Sequence, residues 1–260
     1  MADYVECALA VLGPVMIKAD FGFGGHAMEL IEGIGSLSEQ IEGFLRLGYG
    51  SDFLIEEYIG SGDNIMPLCY TGVVGQGGEI FTSSVGRELQ YSTRYYAGAH
   101  IGFGSIASEY ADNVRRAGEA VARVISSFGY RGSFTLDLLC RKDDASLFLL
   151  EINPRQALPS MLGDICIQLF GRDYDKTVSA IARRRIPVHP SISEYAKLRD
   201  FLVDKSLFGR LTKDLVILPY MVNSLATSSI IGLAVVGKDD TAIEAALSEV
   251  TGRLAAGRKN

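Results

Sequence analysis

The chain has 260 residues, 48% hydrophobic and 22% charged, with a formal net charge of −6. That composition suits a globular protein with one large domain or a domain with appendages, and the acidic balance argues against nucleic acid as the main ligand. No apolar run reaches the roughly 18 residues of a membrane span and no basic-then-apolar leader opens the chain, so the reading is a cytoplasmic protein without a membrane partner.

"ADYVECALAVLG" has helical spacing and closes on Gly13. "PVMIKAD" and "HAMELIE" then read as strands across the glycine-rich "FGFGG". A helix over "SLSEQIEGFLRLG" follows, with Ser36 or Ser38 as its cap, and then the strand "FLIEEYI". Short strands from Asn64 to about Arg87 are broken by "GQGGE", a hairpin signal. Residues 88–106 are rich in glycine and tyrosine and show no period. From Ser108 to Phe128 a helical stripe carries Val114, Ala117, Val121, Val124, Ile125 and Phe128, ended by Gly129.

Two strands come next, "SFTLDLLCR" and "SLFLLEIN", joined by the turn "KDDA". Helical stretches are expected from Pro154 to about Arg185, with Arg183 to Arg185 as a solvated helix end and "IPVHP" as a linker. The tail from Ser191 reads as a helix, two strands and a last helix with Ile243, Leu247, Val250 and Leu254 aligned. Cys7, Cys69, Cys140 and Cys166 are far apart, which suggests buried thiols and neither zinc nor a disulfide framework.

The chemistry concentrates in "FLLEINPR". Glu151 and Asn153, two apart in a strand, share a face. A hairpin turn centred on Asp144 places Asp137 directly across from Glu151, where side chains stand about 4.5 to 5.5 Å apart at Cβ. Two carboxylates there repel by roughly 3 kcal/mol at 5 Å with an effective dielectric near 20. Magnesium removes the conflict, since it takes oxygen ligands and is held by one or two carboxylates plus substrate phosphates. Asn153 adds a neutral oxygen. The competing reading is a hairpin with both carboxylates in water; Leu136, Leu138, Leu149 and Leu150 argue for burial instead.

"KADFGFGGH" fits neither the P-loop nor the dinucleotide pattern. Gly22, Gly24 and Gly25 still allow a flap whose backbone N–H groups cup a phosphate, with Lys18 supplying positive charge; a plain turn is the alternative. In "FLIEEYIGSGD" the strand end Glu56, Glu57, Tyr58 and Ile59 exposes backbone groups before glycines, and Asp63 lies just beyond.

Taken together these pieces resemble the ATP-grasp superfamily over residues 14–156, most like its amino-acid and peptide ligases of the pheganomycin peptide ligase group. The resemblance implies an α/β (α+β) fold in which two subdomains clamp the nucleotide. Residues 1–13 would be a linker helix, 14–60 the lid, 61–188 the metal and phosphate subdomain and 189–260 a C-terminal α/β subdomain. It assigns ATP to Lys18, Gly22, Gly24, Gly25, the hinge Glu56 to Ile59 and, at the ribose, Asp63. It assigns magnesium, two ions by expectation, to Asp137, Glu151 and Asn153, and catalysis to Lys18 and Arg155, with Arg87 and Arg94 as further anion-binding candidates.

The implied reaction joins small-molecule carboxylate and amine substrates, amino acids or peptides, through an acyl phosphate. The alternatives are a non-catalytic ATP-binding regulatory module and a kinase-like phosphotransferase. ATP-grasp ligases carry an N-terminal α/β domain before the flap, and here about thirteen residues precede it. The expectation is therefore a fragment or one half of a split enzyme, completed by an N-terminal half or by a homodimer.

Overall fold

A computed structural model describes residues 2–19, 28–46, 52–60, 62–91, 95–204, 207 and 215–257. The chain divides into two units, Met1–Ile65 with Gln90–Tyr96, and Met66–Leu89 with Ala97–Asn260. In the first unit α1 (Ala2–Leu12) leads into β1 (Val15–Ala19), β2 (Met28–Ile31), α2 (Leu37–Arg46) and β3 (Phe53–Glu57). The strands form an antiparallel sheet in the order β2, β1, β3. Val15 and Ile17 alternate inward and meet Val5 of α1 and the α2 stripe of Leu37, Ile41 and Phe44. Gly13, at φ +76°, supplies the left-handed residue that ends α1 and turns the chain into β1. Of the two expected caps, Ser38 lies inside α2.

The second unit is built on β4 (Ile65–Val74), β5 (Ile80–Gln90), β6 (Tyr96–Gly102), α3 (Ser108–Ser127), β7 (Gly132–Arg141), β8 (Ser146–Asn153), α4 (Leu158–Phe170), β9 (Ser179–Pro187), α5 (Tyr195–Asp204), β10 (Leu215–Tyr220), α6 (Leu225–Ser228), β11 (Ile230–Gly237) and α7 (Asp240–Ala256). One eight-stranded sheet runs in the order β10, β11, β9, β6, β5, β4, β7, β8. Leu68, Tyr70, Phe134, Leu136 and Leu138 pack with Val114 and Ala122 of α3. Cys69, Ala99 and Ile101, from the alternate positions, pack with Leu162 and Cys166 of α4. In the tail, Ile243, Leu247, Val250 and Leu254 of α7 are buried as the spacing predicts.

Three expectations are corrected, and one stretch without a period is placed. Residues 88–106 hold the end of β5 and all of β6, both inside the sheet. Gly98 and Gly102 stand where the neighbouring chain passes too close for a side chain: a Cβ on Gly98 would lie 1.9 Å from the Ala182 carbonyl oxygen, and one on Gly102 2.4 Å from that of Val178. The stretch to Arg185 ends in β9, not in helix. Its apolar residues Ala180 and Ala182 face one side and Ile181 the other, as in a strand buried on both faces. Arg183, which stands in β9, pairs with Glu244 of α7 through two 2.9 Å bonds. On α3 the buried line is Val114, Gly118 and Ala122, while Val124 and Phe128 are exposed. Cys7 is also exposed; the other three cysteines are buried.

Candidate functional site

From the turn outward, Arg141 pairs with Ser146, Cys140 with Leu147, Leu139 with Phe148 and Leu138 with Leu149. The ladder then shifts, and Asp137 pairs with Glu151. The extra residue is Leu150, a β-bulge. The predicted opposition of Asp137 and Glu151 is therefore present, but a turn centred on Asp144 does not by itself produce it. Near the turn the register is one residue short, and the bulge restores it. Burial is also less than the flanking leucines suggest. β8 is an edge strand, so Leu149 and Glu151 are exposed while Leu136 and Leu138 are buried; Asp137 is half-buried.

Asn153 is buried, and its amide bridges two charged groups. Its Nδ2 donates to Asp137 Oδ2 at 3.1 Å, and its Oδ1 accepts from Arg155 Nη2 at 3.0 Å. The chemistry of the partners fixes this orientation, because a guanidinium only donates and an ionised carboxylate only accepts. Pro154 explains how Arg155 comes back over Asn153. The Arg155 N–H donates to the Asn153 carbonyl at 2.8 Å, closing a three-residue turn whose centre suits the locked φ of proline.

Two residues that sequence reasoning missed belong to this face. Burial and the negative charges of Asp137 and Glu151 push the Glu88 carboxyl well above the usual carboxylate range. Nothing in "GRELQ" marks Glu88, since its partners come from strands about fifty and sixty residues further along. Thr135, two before Asp137 on β7 and directly across from Asn153, is buried, and its hydroxyl oxygen has no hydrogen-bond partner among the described residues.

Arg87 follows the opposite path from its neighbour Glu88, since consecutive strand residues point to opposite faces. Its Nη2 lies 3.3 Å from His100 Nδ1. His100 Nε2 lies 2.7 Å from Ser179 Oγ and 3.4 Å from Asp240 Oδ2. A donor-only guanidinium at Nδ1 leaves the ring proton on Nε2. Arg87 is thus turned away from the carboxylate face, and Arg94 lies outside the described residues. A cavity of about 320 Å³, lined by Val85, Phe103, Ser105, Arg115 and Asp175 among others, takes in none of the predicted site residues.

In the first unit Lys18 forms an ion pair with Glu56. Register explains it: Glu56 lies opposite Met16, one diagonal step from Lys18 on the same face. Among the described residues β3 pairs only with β1, so the backbone of Glu56 and Glu57 stands at the edge of this sheet. The Tyr58 N–H donates to the Pro14 carbonyl at 2.9 Å, which continues the alignment past the strand. Ile59 is half-buried, and Asp63 is exposed in the turn after Gly62. Gly22, Gly24 and Gly25 lie outside the described residues.

The donors on the carboxylate face fit a hard divalent cation. Asp137 and Glu151 are opposed, and their joint field already disfavours a third charge at Glu88. Among the described residues no three His, Cys, Asp or Glu side chains form a metal cluster, and the further oxygen on this face is that of the Asn153 amide.

No family profile and no curated protein matches the chain. Solved structures do. Biotin carboxylase of Campylobacter jejuni, in a complex with β,γ-ATP, superposes with a TM-score of 0.67 at 14% identity, over 94% of this chain and 58% of that one. The fold is the ATP-grasp fold. The biotin carboxylase domain of Hydrogenobacter thermophilus 2-oxoglutarate carboxylase, with MgADP and bicarbonate, gives 0.65 at 13% identity, over 96% of this chain and 58% of that one. N5-carboxyaminoimidazole ribonucleotide synthetase of Thermus thermophilus gives 0.62 at 12% identity, over 99% and 66%. The chain thus spans somewhat under three fifths of the two carboxylases.

Proposed function

We propose that this chain binds a magnesium nucleotide and acts as an ATP-dependent, ADP-forming ligase that joins a carboxylate to an amine. The observation that carries the reading is the register pair of Asp137 and Glu151 beside Asn153. Two opposed carboxylates with an adjoining amide oxygen form a hard-cation donor set on an ATP-grasp sheet. Magnesium there would neutralise phosphate charge during transfer. Asp137, Glu151 and Asn153 would hold it, and Arg155, whose planar fork suits phosphate or carboxylate, would orient the anion.

Lys18 and the hinge Glu56 to Ile59 are assigned to phosphate and adenine on the resemblance, and Asp63 to the ribose. The acid partner is proposed to be an amino acid or peptide. Catalysis of this kind rests on holding the carboxylate in line with the γ-phosphate, worth roughly 7 to 11 kcal/mol of barrier. The reading is tested by measuring ADP and phosphate release with amino acids, short peptides and bicarbonate as acids. Release that depends on an amino acid or peptide supports it. Dependence on bicarbonate alone reassigns the acid, and Mg-ATP binding without release under any acid leaves the regulatory module.

A further inference from the structure

In its present position Asn153 turns its donor, and not its oxygen, toward Asp137. That donor is Nδ2, and the oxygen is held by Arg155. A cation shared with Asp137 and Glu151 needs the amide oxygen on the Asp137 side. Rotating the amide to provide it points the NH₂ group at Arg155, donor against donor, and that contact breaks. The rotated NH₂ needs an acceptor, and the structure holds one unused. Thr135 on β7, 2% exposed, stands directly across from Asn153 on β8, and its hydroxyl oxygen is without a partner among the described residues. A buried hydroxyl left unbonded is costly in any single arrangement, which is accounted for when a second arrangement uses it.

We propose that Asn153 is a two-position latch: without a cation it ties Arg155 to Asp137, and a divalent cation at Asp137 and Glu151 turns the amide toward Thr135 and frees Arg155 to take an anion. The inference rests on the metal reading above. It makes the anion site conditional on the cation, and by linkage the two ligands strengthen each other. Thr135 is then a positioning residue that touches neither ligand.

The test uses Mn²⁺ alone, with bound and free ion separated by electron paramagnetic resonance, in wild type, D137N, R155Q, N153A, the R155Q/N153A double variant and T135V. Loss of binding by at least about tenfold in D137N supports the metal reading, and unchanged affinity there overturns that reading whatever the other variants do. Given that loss, the latch predicts that R155Q strengthens Mn²⁺ binding in wild type about fivefold more than in the N153A background. Equal strengthening in both backgrounds is simple relief of charge repulsion, or an oxygen serving both partners at once, and overturns the latch. T135V, which keeps the side chain's shape, is expected to weaken Mn²⁺ binding about threefold or more, and unchanged affinity in T135V contradicts the proposal. That arm stands by itself should N153A fail to fold.

Discussion

Asp137 on β7 faces Glu151 on β8 because Leu150 bulges out of the ladder between them and the turn. Bulges re-aim side chains, and this one sets two acids against each other on the face that also carries Asn153. An arrangement that destabilises the empty protein points to a ligand of opposite charge.

The first consequence is for stability. Removing either charge, in D137N or E151Q, is expected to leave the unfolding temperature in chelator unchanged or raised. The repulsion relieved lies between under 1 and about 3 kcal/mol, toward the low end because Glu151 is exposed. Thermal melts in EDTA check it; a clear loss of stability in both variants would mean that the carboxylates support the hairpin instead.

Lys18→Ala separates binding from folding in the first unit. The Lys18–Glu56 pair is partly exposed, and such pairs contribute about 0 to 1 kcal/mol. The melt should therefore shift little, while affinity for ATP falls by about tenfold if the lysine meets phosphate. Calorimetry and a melt on the same variant decide between a ligand-binding and a merely structural lysine.

Gly118→Ala tests the packing of α3. Alanine gains about 1 kcal/mol of helix propensity, but the new Cβ would lie 2.3 Å from the Tyr70 ring, which is itself buried. Overpacking of this kind costs about 1 to 3 kcal/mol, so a net destabilisation of about 1 kcal/mol is expected in urea unfolding. A stabilised variant would contradict the close approach of helix and sheet.

His100 makes stability pH-dependent. Burial lowers its pKa, and the nearby Arg87 guanidinium adds to this, against Asp240 and Glu244, which raise it. With the folded value below the usual 6.5, the unfolded chain binds more protons as pH falls, so stability is full above about pH 6.5 and declines below it. His100→Gln, which cannot titrate, should lose that slope in unfolding curves between pH 7.5 and 5. An unchanged slope would place the pH dependence elsewhere.

Local pattern made much of this legible. The β7 and β8 segments alternate, their turn is short and charged, and the last helix carries four apolar residues on one stripe. What sequence alone missed depends on distant contact. β6 shows no strand period because Gly98 is forced by Ala182, more than eighty residues later. Arg183 to Arg185 read as a helix end because the sheet partners of β9, β6 and β11, are not visible in the segment. Glu88 and Thr135 look like ordinary strand residues until three strands bring them beside Asp137, Glu151 and Asn153. The bulge at Leu150 has no composition signal, and the right acid pair emerged from a turn centre that holds only beyond it.

The most direct measurement is calorimetric titration of ATP into wild type, D137N and E151Q, each with Mg²⁺ and with EDTA. The account predicts that wild type binds ATP at least about tenfold more tightly with Mg²⁺ than in EDTA, and that both variants lose that difference. Magnesium-dependent ATP affinity that survives intact in both variants would contradict the assignment of the cation to Asp137 and Glu151.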